Sequence, residues 1–184
     1  MVAGQSLPTE EPAGGQFWCF EMRSLPKTSH DHNETIKLHV ARLPALAEAI
    51  DGASPAELTA IFEPEYAFIT ERLVPHMATI ERSLYGELER LMGTRHSMTP
   101  MRQEHLTLGR LVDLLGVYRP RVAAAALSEA DGMGLRRVLY RLYSILQGHL
   151  AEEELYLRVL DHNLSDEEKD VLAGAIDHAC SAPV

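Results

Sequence analysis

Cysteine, aromatic and β-branched residues are all scarce in this 184-residue chain, and each scarcity excludes something. The two cysteines, Cys19 and Cys180, sit near opposite ends without metal-type spacing. The chain therefore carries neither a disulfide framework nor a thiolate zinc motif. A reduced, cytoplasmic setting fits that usage, with a single bridge between the ends left open. Ala, Leu, Glu, Arg and Met dominate, so little remains from which to build strands, and the expected class is all-α. No apolar run approaches 20 residues, the length a transmembrane helix needs. Met1 to Pro12 show neither a basic n-region nor an apolar h-region, so no secretory signal is expected. Lys and Arg number 17 against 27 Asp and Glu, a net charge of −10, which argues against nucleic acid or an anionic membrane as partner. A Gly-rich phosphate loop, a nucleophile elbow and a Cys-x-x-Cys pair are also missing.

What is present is helical periodicity. The length fits one domain with a real core. Residues 1–27 are rich in Pro, Gly, Gln and Glu and read as an N-terminal tail, which Phe17, Trp18 and Phe20 could pin to a groove. Residues 28–180 read as a helical bundle domain. A first helix is expected over Asp31–Ile50, with Ile36, Val40, Leu43, Leu46, Ala47 and Ile50 inward and Gly52 after its end. Ser54, Pro55 and Glu57 form a capping box with Pro at the first helical position. Pro64 should interrupt that helix, and the long second helix should continue to Met92 with Leu73, Met77, Ile80, Leu84, Leu88 and Leu91 inward and a kink at Pro75.

Thr99-Pro100 opens a third helix lined by Met101, Leu108, Leu111, Val112 and Leu115. Tyr118-Arg119-Pro120 should break it, leaving Arg121–Ala130 as a helical connector ended by Asp131-Gly132. A fourth helix is expected over Leu135–Asp161, lined by Leu135, Leu139, Leu142, Leu146, Leu157 and Leu160. Ser165 to Glu168 caps a short C-terminal helix with Val171, Leu172, Ala175 and Ile176 inward. Short connections make neighbouring helices antiparallel, so the expected architecture is an up-down four-helix bundle.

Four of the nine histidines, His39, His76, His105 and His149, lie on the apolar stripes of four separate helices. His30, His32, His96, His162 and His178 fall in tails, turns or helix ends and read as solvated. A single histidine on an apolar stripe is commonly a core histidine with its own partner. Glu153, four residues after His149 on the same face, is harder to dismiss, because a buried carboxylate needs a partner or a metal. With a rise of 1.5 Å per residue, His39 and His105 lie about 12 Å above the bottom of the bundle, His149 about 18 Å and His76 about 24 Å. Boundary errors of a few residues let all four meet in one layer. A shared metal would give all four a partner, with Glu153 supplying negative charge. The arginines around the third helix, Arg95, Arg102, Arg110, Arg119 and Arg121, read as a solvated face paired with local acids.

Four segments carry a family resemblance. They are Leu38-His-Val-Ala-Arg42, Pro75-His-Met-Ala-Thr-Ile-Glu-Arg82, Met101-Arg-Gln-Glu-His105 and His149-Leu-Ala-Glu-Glu153. In order and spacing, over residues 31–161, they resemble the hemerythrin-like, or HHE cation-binding, domain. The resemblance implies a four-helix bundle around a non-haem di-iron centre, with His39, His76, His105, His149 and Glu153 as ligands. It departs at Ile80, where the family has its first bridging Glu, and at Gly109, where the blood-pigment branch has a further His. Glu81, about 140° around the helix from His76, should face away unless a π-bulge beside Pro75 re-aims it. The expected site is therefore a weakened di-iron centre, a single metal held by His and Glu153, or a site rescued by Glu81 or a tyrosine such as Tyr66 or Tyr143. Iron is the expected cofactor, and Zn²⁺ would also suit the donors. The expected function is binding or sensing of O2, NO or peroxide, or holding iron. An enzyme that decomposes peroxide or reduces NO is the alternative, and a metal-free bundle acting through protein contacts is a third.

Overall fold

The computed structural model describes residues 25–93 and 97–181, with side chains over residues 33–82, 84–93, 97–158 and 161–174. Cys19, Phe17, Trp18, Phe20, Arg95 and His96 lie outside the described residues, as do the side chains of His30, His32, Leu160, Ala175, Ile176, His178 and Cys180. All regular structure among the described residues is helical. In chain order the elements are α1 (Leu25–Ala49), α2 (Pro55–Phe68), a π-helical turn Ile69–Leu73, α3 (Val74–Ile80), a second π-helical turn Glu81–Tyr85, α4 (Gly86–Met92), α5 (Thr99–Ala123), α6 (Glu129–Asn163) and α7 (Asp166–Ser181). Among the described residues no helix is long and apolar enough to cross a membrane.

Caps account for three starts. The Ser54 hydroxyl accepts from the Glu57 N–H while the Glu57 carboxylate accepts from the Ser54 N–H, with Pro55 at the first position. Ser165 and Glu168 repeat that box ahead of α7. Ser128 and Asp131 do the same ahead of α6. Asp131-Gly132 thus opens α6 instead of ending a connector. Two other expected breaks are continuous: Pro64 lies inside α2 and Pro120 inside α5. Each follows residues already helical, so the helix gives up one N–H bond and continues. Helix α1 begins at Leu25, within the stretch expected as tail. Val171 is exposed, and it is Leu172 and Ala173 that turn inward on α7.

Cross-links set the directions. Lys37 pairs with Glu154 while Arg136 reaches the Ala47 carbonyl, so α1 and α6 run antiparallel. Glu104 meets His149 while Arg121 meets Asp131, so α5 and α6 do too. Arg119 pairs with Glu63, and Arg102 with Glu89, which lays the whole run from α2 to α4 antiparallel to α5. Helix α7 packs on α1, α3 and the second π turn.

The apolar stripes form two clusters. The larger joins Ile36, Val40, Leu43, Phe62, Leu73, Met77, Leu108, Leu115, Leu139 and Leu146 with their neighbours. The smaller contains Ile80, Leu84, Tyr85, Leu88, Met98, Met101, Leu157, Leu172 and Ala173. The boundary falls between Met77 and Ile80, between Met101 and Leu108, and between Leu150 and Leu157. Buried polar residues fill it.

Glycine contacts give a stability test. A Cβ at Gly109 meets nothing within 4 Å, whereas one at Gly134 would lie 2.1 Å from the Tyr118 hydroxyl. Gly109→Ala should therefore raise stability to urea by about 0.5–1 kcal/mol through helix propensity, and Gly134→Ala should not. Equal stabilisation by both would show that Tyr118 does not occupy that groove.

Candidate metal centre

The boundary between the clusters holds Asn33 from α1, His105 from α5, and His149 and Glu153 from α6, all buried. His105 and His149 face each other with Nε2 atoms 3.0 Å apart. Their outer nitrogens are both held by carboxylates: His105 Nδ1 lies 2.8 Å from Glu81 Oε1, and His149 Nδ1 lies 2.8 Å from Glu104 Oε2. A carboxylate that accepts there places a hydrogen on Nδ1, and in a neutral ring Nε2 then carries the lone pair. Burial, and next the neighbouring His149, push the His105 pKa below its ordinary value, which favours the neutral ring. Two ring lone pairs 3.0 Å apart repel unless a cation, a shared proton or a donated O–H relieves them.

Oxygen donors flank the pair. The Tyr85 hydroxyl is 3.4 Å from both Nε2 atoms, with its ring stacked on His105. Glu153 Oε2 is 3.9 Å from His149 Nε2. Burial pushes the Glu153 pKa up to about 7, against the hydrogen bond from Asn33, which lowers it. Burial also raises the Tyr85 phenol, and next in effect is the charge of Glu153. The Arg102 guanidinium, held by Glu89, lies 5.8 Å from the centre of the Tyr85 ring.

Of the expected ligands, this arrangement unites His105, His149 and Glu153. His39 is turned to α2, its Nδ1 2.6 Å from Glu65 and its ring stacked on Phe68 at 3.7 Å. Arg42 holds the other oxygen of Glu65 at 3.2 Å. His76 is half-buried on α3, about 7 Å along the axis from Glu81 at 1.5 Å per residue. Glu81, the first residue of the second π turn, is the one that faces α5. Ile80 is packed in the smaller apolar cluster. Tyr66 lies by Phe62 and Arg119, away from the paired histidines.

Sequence reading missed three residues here: Asn33, Tyr85 and Glu104. Glu104 had a signal, since it precedes His105 in the Met-x-x-Glu-His run. It serves the ring on the facing helix, a cross-helix pairing that spacing within one helix does not reveal. Tyr85 had none, because a π turn alters the periodicity around it.

The two ring nitrogens have the spacing of a pair of donors to one first-row metal ion. Two cis nitrogens bound at 2.0–2.1 Å stand about 3.0 Å apart, as these do. Two imidazoles and one carboxylate are the donors of facial iron sites, and carboxylates on the outer nitrogens orient metal-ligating histidines. Among the described residues no three His, Cys, Asp or Glu side chains form a group ready to hold an ion. The third donor close to the ring nitrogens is a phenol. Comparison with family models, curated proteins and solved structures finds no match to this chain.

A pH test follows from Glu153 in metal-free protein. Its pKa is about 7 folded against 4.5 for the free group. Between those values the folded chain keeps a proton that the unfolded chain has lost, so the contribution of Glu153 falls as pH rises through the window and is level above it, whereas the lowered His105 contributes in the opposite sense. The loss is on the order of 3 kcal/mol. Glu153→Gln should lack that slope, measured by urea unfolding at pH 5 and pH 8. Identical slopes in both proteins would remove Glu153 from the buried layer.

Proposed function

We propose that this chain is a hemerythrin-like metal-binding protein, an up-down four-helix bundle extended by α7, that holds iron between His105 and His149 with Glu153. The observation that carries this reading is the pair of Nε2 atoms set face to face at 3.0 Å, with both opposite nitrogens held by carboxylates. An arrangement of that kind stores repulsion that one cation relieves. The antiparallel packing of α1, α2–α4, α5 and α6 supports the bundle assignment.

Each residue has a part that needs no ion to describe. Glu81 and Glu104 fix the ring tautomers and aim both Nε2 atoms inward. Asn33 orients the Glu153 carboxylate. The two apolar clusters above and below keep bulk water from the layer. An iron ion held there would supply a redox-active position for O2, NO or peroxide, which makes binding or sensing of such a ligand the favoured function. Zinc would be bound by the same donors without redox chemistry.

Elemental analysis and thermal unfolding of protein purified without a histidine tag test the assignment. Iron should co-purify or be taken up, and added Fe²⁺ or Zn²⁺ should raise the unfolding midpoint. At 100-fold excess over Kd the stabilisation is about 2.7 kcal/mol. His149→Ala should abolish uptake, whereas His39→Ala, whose ring is held by Glu65 and Phe68 of α2, should retain it. No bound metal and an unmoved midpoint would leave a shared proton as the bridge and a metal-free bundle as the reading.

A further inference from the structure

We infer that the Tyr85 phenol oxygen is the third donor of the site, and that the site is built for one ion. This rests on the metal-binding reading above and adds to it the identity of the missing anionic ligand and the number of ions.

The geometry is a triangle. His105 Nε2 and His149 Nε2 are 3.0 Å apart, and Tyr85 Oη is 3.4 Å from each. The point equidistant from corners so spaced lies about 1.9 Å from all three, just inside the 2.0–2.1 Å of first-row metal–nitrogen bonds. The three corners would therefore hold one ion without movement of the backbone. Glu153, 3.9 Å from one nitrogen, is at hand for a fourth bond. A pair of ions 3.5–4 Å apart would need separate nitrogen donors for each. Here both ring nitrogens point at one location.

The position of Tyr85 is explained by the second π turn. Glu81 and Tyr85 bracket that turn, and both face His105. Glu81 takes the outer nitrogen, and Tyr85 approaches the inner one. The same segment thus replaces the carboxylate that Ile80 lacks, by an oxygen that becomes anionic when its proton leaves to water on ion binding. Two neutral imidazoles with two anionic oxygens favour a hard trivalent ion, so the expected occupant is ferric iron.

The experiment is to load the full chain with ferric iron and record metal content and visible absorption. One iron per chain is expected, with a phenolate-to-iron charge-transfer band and tyrosinate ring modes in the resonance Raman spectrum excited within it. Tyr85→Phe, which keeps the ring in its pocket, should lose band and ring modes and bind iron at least about tenfold more weakly, since even outer-sphere partners are worth 10–100-fold. Iron bound by the parent without the band would overturn the tyrosine assignment and leave the metal reading intact. So would a band that persists in Tyr85→Phe. Two irons per chain would overturn the single-ion claim. No iron in the parent would overturn this inference and the proposed function together. Because the spectrum of the parent protein decides by itself, a variant that failed to fold would not shield the inference.

Discussion

Two imidazole nitrogens forced to within 3.0 Å of each other are the constraint around which this helical protein is arranged. Neither ring can turn away, because Glu81 and Glu104 grip the opposite nitrogens at 2.8 Å. Neither carboxylate sits on the helix of the ring it grips. Glu81 reaches α5 from the run between α2 and α4, and Glu104 reaches α6 from α5. Separating any of these helices leaves a buried polar group unpaired, which costs about 1–3 kcal/mol each time. The polar layer therefore fixes the register of three helices at once, which two apolar clusters, tolerant of small slips, would do less sharply.

The sandwich of apolar, polar and apolar layers also decides the electrostatics. Leu150 and Leu157 stand on either side of Glu153 along α6, and Met101 and Leu108 on either side of His105 along α5. Burial raises the carboxyl and lowers the imidazole, so both neighbours drift toward neutrality when nothing else is bound. Both shifts favour the uncharged form inside the layer. The charged partners, Glu81 and Glu104, are less buried and stay at the edge, where water moderates their cost.

Apolar stripes made most of the helices legible, because a residue that must be buried recurs at the helical period whatever it packs against. Leu43, Leu84, Leu108, Leu115 and Leu139 are inward as the pattern requires. Capping chemistry at Ser54 and Ser165 was equally plain. Proline was read too strongly: Pro64 and Pro120 remove one bond each, and the surrounding burial holds the helix together. The histidines were legible as a set but not one by one. His105 and His149 show that position on a stripe can mark the centre. His39, on the same kind of stripe, sits at its edge and stacks on Phe68, and only the facing helix decides which of these happens.

The second helical run shows why the rest could not be read. A π turn adds a residue to a turn without any residue type that announces it. With one such turn before α3 and another after it, period counting across Pro55–Met92 fails where the polar groups lie. Taking His76 as the inward marker puts Glu81 outside, since 140° separates them. Anchoring the count on His105 across the interface puts Glu81 inside and brings Tyr85 beside it. The absence of a carboxylate at Ile80 then has a packing reason. An apolar side chain is what the smaller cluster requires at that position, next to Leu84 and Leu157, while the oxygen chemistry passes to the residues that bound the turn. The π turn thus sets Glu81 and Tyr85 toward His105, while the smaller apolar cluster closes around Ile80 at the end of α3.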